Sequence, residues 1–189
     1  MKKLIYLFTI LTTVNNLAYY KNISLGLGTF TEEVSKIEEE VGGATNTFEF
    51  NPYAVLKFDF DFYFDHDFVL ELGLSTPRSS RDTEVTRLNY WSNFLLRYNF
   101  TNFRPVYGFG FFFTRLSMDG SSQFLNNGGQ EKEFKTPSGS STAVNNVLTV
   151  GTDIIFDRDI YSNIQVMSLN VEDSDERAFN YYLSLNFNL

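Results

Sequence analysis

From residue 20 to the C-terminus, apolar and polar positions alternate with a period of two, the pattern of strands whose two faces meet different surroundings. Ile23, Leu25 and Leu27 alternate with Ser24, Gly26 and Gly28. A longer run puts Phe48, Phe50, Pro52, Ala54, Leu56, Phe58, Phe60 and Phe62 on one face, with Tyr53, Val55, Lys57, Asp59 and Asp61 on the other. Phe68, Leu70, Leu72 and Leu74 oppose Val69, Glu71, Gly73 and Ser75. Leu88, Tyr90, Phe94, Leu96, Tyr98 and Phe100 oppose Asn89, Asn93, Arg97 and Asn99. Tyr107, Phe109, Phe111 and Phe113 oppose Gly108, Gly110 and Thr114, and Leu148, Val150, Ile154 and Phe156 oppose Thr149, Gly151 and Asp153. The last run sets Phe179, Tyr181, Leu183, Leu185, Phe187 and Leu189 against Asn180, Ser184, Asn186 and Asn188.

One segment, residues 160–171, is less regular. Ile160, Ile164 and Val166 have one parity while Met167, Leu169 and Val171 have the other. A bulge near Val166 and Met167 reconciles them, because one extra residue reverses the facing of all that follow. Counting this segment gives eight strands, and no helix-period stretch of similar length competes with them. The chain is all-β.

The connections follow a second rule. Short ones fall near residues 65–67, 101–104 and 157–159; long polar ones occupy 32–46, 76–86, 117–142 and 172–176. They alternate strictly, so an up-and-down sheet gathers every short turn at one end and every long loop at the other. Outer-membrane barrels have this asymmetry. Aromatics flank the short turns: Phe62, Tyr63, Phe64 and Phe68 at the first, Tyr98, Phe100, Phe103 and Tyr107 at the second, Phe156 and Tyr161 at the third. Rings with an apolar body and a polar tip suit a headgroup boundary, so Tyr63, Tyr98, Tyr107 and Tyr161 are expected in an interfacial girdle.

Which face is outward follows from cost. Lys57, Asp59, Asp61, Glu71, Arg97 and Asp153 are too expensive for hydrocarbon and are assigned to a lumen as a charge network. Phe58, Phe60, Leu70, Leu72, Phe94, Leu96, Phe109, Phe111, Val150, Ile154, Leu183 and Leu185 then face lipid. A sheet in lipid must satisfy its own backbone and leave no edge, so it closes. Tilted spanning strands need about 9–11 residues, which these runs supply. The expected fold is a closed, antiparallel, up-and-down, eight-stranded transmembrane β-barrel.

The first residues differ from the rest. Lys2 and Lys3 precede an apolar stretch at residues 4–11, followed by small and polar residues to Ala18. That order reads as a secretory signal, 1–18, cleaved to leave a barrel domain, 19–189. The stretch is far short of the roughly 20 residues of a spanning helix. Removal of the signal takes two lysines from a chain whose net charge is already −8. That charge argues against nucleic acid as a partner. With 189 residues, no Cys and one His, the chain excludes disulfide scaffolds, thiolate metal sites and multi-histidine metal sites. Its 21 Phe and 11 Tyr argue against disorder.

The signal, the eight runs and the aromatic C-terminal strand together resemble the small outer-membrane β-barrel proteins of the OmpA/OmpX/OmpW-like group. Within residues 104–115 (RPVYGFGFFFTR), Pro105 and Tyr107 followed by Gly108 and Gly110 are similar to one strand of that group, with Val106 inserted between Pro and Tyr. The closing YYLSLNFNL, with Tyr181, Leu183, Leu185, Phe187 and Leu189 on one face, resembles the signal read by the barrel-insertion machinery. The resemblance implies a monomer among outer-membrane lipids and lipopolysaccharide, delivered by periplasmic chaperones. It implies as well that the long loops are extracellular and both termini periplasmic.

Eight strands leave an interior just wide enough for side chains to fill, so a salt-bridged plug is expected rather than a general pore. The lumen-side glycines make room for bulkier neighbours. The first loop (Glu32, Glu33, Glu38, Glu39, Glu40 against Lys36) and the fourth (Glu172, Asp173, Asp175, Glu176) are acidic, without the spacing of a calcium loop. The third, residues 117–142, is rich in Ser, Gly and Asn and reads as a mobile exposed loop. His66 sits in a short turn between Asp65 and Asp67, and no nucleotide loop or nucleophile elbow is present. The reading is a non-enzymatic barrel of structural or surface-interaction role, without metal or cofactor. A narrow channel for small or hydrophobic solutes and a soluble exported ligand-binding barrel are its alternatives.

Overall fold

The computed structural model describes residues 20–32, 49–79, 85–120, 122–127, 129–135, 138–172 and 177–189. The expected signal, 1–18, and most of the acidic first loop lie outside the described residues. The described chain is β throughout: β1 (Tyr20–Glu32), β2 (Glu49–Asp61), β3 (His66–Ser75), β4 (Arg78–Ser79), β5 (Val85–Tyr98), β6 (Phe103–Asp119), β7 (Ser122–Asn127), β8 (Gln130–Lys135), β9 (Ser138–Ile155), β10 (Ile160–Leu169) and β11 (Ala178–Asn188). Each long strand pairs antiparallel with its neighbours, in the order β3-β2-β1-β11-β10-β9-β6-β5, and β3 pairs with β5 to close the ring. The result is a closed eight-stranded antiparallel barrel. The short β4 only flanks β5, and β7 with β8 forms a separate hairpin.

Closure explains the alternation. Along β3 and along β11 every second side chain is enclosed and the others look outward. Enclosed positions include Lys57, Asp59, Glu71, Arg97 and Asp153, while Leu27, Phe109, Val150 and Leu183 stand exposed on the outer face. The apolar side of this chain is its exterior.

Short turns gather at one end, here the turn end. The β2–β3 turn is tight: the His66 N–H donates to the Tyr63 carbonyl at 3.2 Å, and Phe64 and Asp65 both have positive φ. Two such central residues give the twist that matches a right-handed ribbon. The long connections lie at the opposite, loop end.

Two expectations need correction. Strand β10 has no bulge: its register against β9 and β11 is continuous, and Met167 and Leu169 point inward in phase with Tyr161, Asn163 and Gln165. The apparent parity change arises because the lumen itself turns apolar towards the loop end. The third connection is also not a loop along its whole length. β6 continues to Asp119 and β9 begins at Ser138, an unbroken ladder that carries the hairpin β7–β8.

Candidate functional site

The lumen is where this sequence concentrates its chemistry, and it divides into two layers. At the turn end, β2 supplies Lys57 and Asp59, β3 supplies Asp67 and Glu71, β5 supplies Arg97 and β9 supplies Asp153, all nearly inaccessible to solvent. The Arg97 guanidinium reaches three carboxylates through two nitrogens: Nη2 lies 2.6 Å from Asp59 and 2.7 Å from Asp67, and Nη1 lies 3.5 Å from Asp153. Its planar fork suits several acceptors at once. Lys57 Nζ sits 3.3 Å from Glu71 and 3.9 Å from Asp153, so Asp153 joins the two cations into one network.

Neutral donors extend it. Glu71 accepts from Asn93 Nδ2 at 2.9 Å, Gln165 Nε2 at 2.9 Å and Trp91 Nε1 at 3.2 Å. Asn163 Nδ2 donates to Asp153 at 2.6 Å. The Ser24 and Tyr161 hydroxyls hydrogen-bond at 2.6 Å, and Lys57 Nζ stands 5.7 Å from the centre of the Tyr161 ring. Buried charges are tolerable only with such partners, because an unpaired ion in a dry interior costs several kcal/mol by order of magnitude.

At the loop end the filling changes character. Phe30, Tyr53, Trp91, Phe112 and Tyr182 pack with Val55, Val147, Met167 and Leu169 in one buried cluster. Phe30 stacks on Tyr182 at 5.0 Å, while Tyr53 and Tyr182 each meet Trp91 edge-on at 5.2 Å. A glycine makes this possible. Gly73 is the cross-strand partner of Trp91, and a Cβ there would land inside the indole ring. Trp91 belongs to both layers, its ring in the aromatic cluster and its N–H on Glu71.

The expected site residues fall as follows. Lys57, Asp59, Glu71, Arg97 and Asp153 come together in the lumen; Asp61 shares their parity but lies exposed at the rim. Asp67 takes the third place on Arg97. Tyr161, expected in the girdle, is instead enclosed and only 3% exposed, because it opens the inward parity of β10. Tyr63 and Tyr107 are exposed near the turn end, and Tyr98 is half-exposed against His66 and Phe100. His66 Nδ1 lies 2.7 Å from the Phe64 carbonyl, tied into its own turn. Phe58, Phe60, Leu70, Phe94, Leu96 and Ile154 are half-buried on the outer face, with Leu72, Phe109, Phe111, Val150, Leu183 and Leu185 more open there. Tyr181, Phe187 and Leu189 are exposed along β11 and at its end.

No protein-family model and no curated protein matches the sequence. Solved structures do match the fold. Ail, the attachment invasion locus protein of Yersinia pestis, superposes with a TM-score of 0.52 at 11% identity, over 89% of this chain and 97% of that one. Ail in a phospholipid bilayer nanodisc gives 0.50 at 12% identity, over 89% and 99%. Neisserial surface protein A gives 0.50 at 9% identity, over 88% and 94%. With so little identity the likeness is one of architecture: the chain has the fold of the small eight-stranded outer-membrane β-barrels.

Proposed function

We propose that the protein resides in an outer membrane as a closed, non-enzymatic barrel whose role is structural or surface interaction. One observation carries this reading: among the described residues the lumen holds a buried ion network at the turn end and packed rings at the loop end. A solute would have to break both. The outward-facing rows, Phe58 and Phe60 through Leu183 and Leu185, would contact lipid, with Tyr63, Tyr98 and Tyr107 at the turn-end headgroup boundary.

In this reading residues 1–18 are the export signal and the row from Tyr181 to Leu189 is the insertion signal. The turn end and both termini are periplasmic, and the long loops are extracellular beside lipopolysaccharide. The β6–β9 ribbon then projects from the cell as a surface for contact. Ail's likeness supports this only through the shared fold.

Recording from the purified protein in planar bilayers tests the closed lumen. The expected result is a silent membrane or rare small steps; a steady, large conductance overturns it in favour of a channel.

A further inference from the structure

The ionic layer is uneven in charge. Among the described residues it encloses four carboxylates, Asp59, Asp67, Glu71 and Asp153, against two cations, Lys57 and Arg97. At its rim, exposed Asp61 and half-buried Arg104 share the inward parity and add one charge of each sign. The enclosed excess is therefore two negative charges, in a space where an uncompensated ion is costly.

Donors are not divided equally among the carboxylates. Glu71 accepts from Trp91, Asn93 and Gln165 besides facing Lys57. Asp153 has Asn163 and both cations. Asp59 and Asp67 instead converge on one nitrogen, Arg97 Nη2, at 2.6 and 2.7 Å. The other Asp59 oxygen, Oδ1, is buried and accepts no hydrogen bond.

The surroundings of the pair do not relieve it. Val69 stands directly across the ladder from Asp59 and Leu95 follows on β5, both buried and apolar. On β6, Arg104 lies across from Asp153 in register. The enclosed turn-end side chains of the other strands are neutral: Ser24 on β1, Tyr161 and Asn163 on β10, Ser184 and Asn186 on β11. Two carboxylates that share a site resist ionising together, and low-dielectric neighbours favour the neutral form of one. The proton then belongs to the pair and not to either residue.

We infer that Asp59 and Asp67, bridged by Arg97, form a proton-binding pair that holds one proton at neutral pH and makes the closure of the ionic layer pH-sensitive. An unfolded chain ionises aspartate at about pH 3.9, so above that value folding takes up the proton from water. The stabilisation is complete below the unfolded value and declines as pH rises. While the pair keeps its proton, the folding equilibrium weakens about tenfold per pH unit. The barrel therefore tightens on mild acidification and loosens in alkali. This device goes beyond the structural or surface-interaction role and does not depend on it.

The test uses the full-length protein folded in phospholipid vesicles. Infrared difference spectra taken in ordinary and heavy water read the carbonyl stretch of a neutral carboxylic acid directly. The expected result at neutral pH is one such band, absent from Asp59→Asn and from Asp67→Asn, because each variant leaves a single carboxylate on Arg97 Nη2. Urea unfolding from about pH 6 to about pH 8 is the second readout, in a His66→Gln background because exposed histidine titrates in that window. The expected result is about a tenfold weaker folding equilibrium per pH unit, nearly flattened by adding Asp59→Asn. Absence of the acid band at neutral pH, a band that survives in both asparagine variants, or a flat His66→Gln profile overturns the inference. Should both asparagine variants fail to fold, the band and the slope of the parent protein decide it. Neither readout measures conductance, so the bilayer recordings judge the closed lumen separately.

Discussion

The two layers of the lumen close the same cylinder by opposite means. At the turn end, Arg97 and Lys57 hold four carboxylates through directional contacts, and each partner matters because its loss leaves a charge behind. At the loop end, Phe30, Tyr53, Trp91, Phe112 and Tyr182 fill space through ring packing, where shape matters more than any one contact. The ionic layer gains specificity at a desolvation cost, whereas the aromatic layer is a conventional apolar core placed inside a barrel. Together they line the interior with charge at one end and rings at the other.

That contrast is open to mutation. The largest effect should come from Arg97→Met, which strands Asp59, Asp67 and part of Asp153; a loss of about 3–5 kcal/mol is expected in urea unfolding monitored by gel mobility. Trp91→Ala should cost a comparable or slightly smaller amount, about 3–5 kcal/mol, by opening a cavity among four rings. The two changes should differ in kind. Raising ionic strength should not rescue the Trp91 variant, whereas lowering pH should partly rescue the Arg97 variant by protonating the stranded carboxylates. Arg at Phe109 or Phe111 tests the exterior instead: at mid-depth it should cost about 2–4 kcal/mol in a bilayer, and tolerance at both positions would contradict the outward assignment. Tyr161→Phe is the mildest, removing one hydroxyl contact to Ser24 for about 1 kcal/mol in the same unfolding assay.

How much of this was legible in the sequence depends on contrast between faces. Lys57, Asp59, Glu71, Arg97 and Asp153 stand out because each interrupts an apolar run at inward parity, so the ionic layer could be read directly. The aromatic layer could not. Phe112 lies between Phe111 and Phe113, Tyr182 follows Tyr181, and a period of two is invisible where both faces carry rings. The inward Met167 and Leu169 produced the false bulge in β10 for the same reason. Tyr161 looked interfacial because it follows a short turn, but facing is fixed by register and not by proximity to a turn. The outer part of β9 was hidden by the converse. Residues 138–144 are exposed on both faces, so Ser and Thr alternate with nothing to mark a strand. Asp67 was overlooked because a turn was expected there, although its parity with Val69 and Glu71 was available.

A single tryptophan in the chain makes the central claim directly measurable. Trp91 sits where the two layers meet and is 3% exposed. Its fluorescence in lipid vesicles should resist neutral acrylamide added to the aqueous phase, with quenching appearing only as the barrel unfolds. Strong quenching of the folded protein, close to that of a free indole, would mean that water reaches the middle of the lumen and that the barrel is not closed.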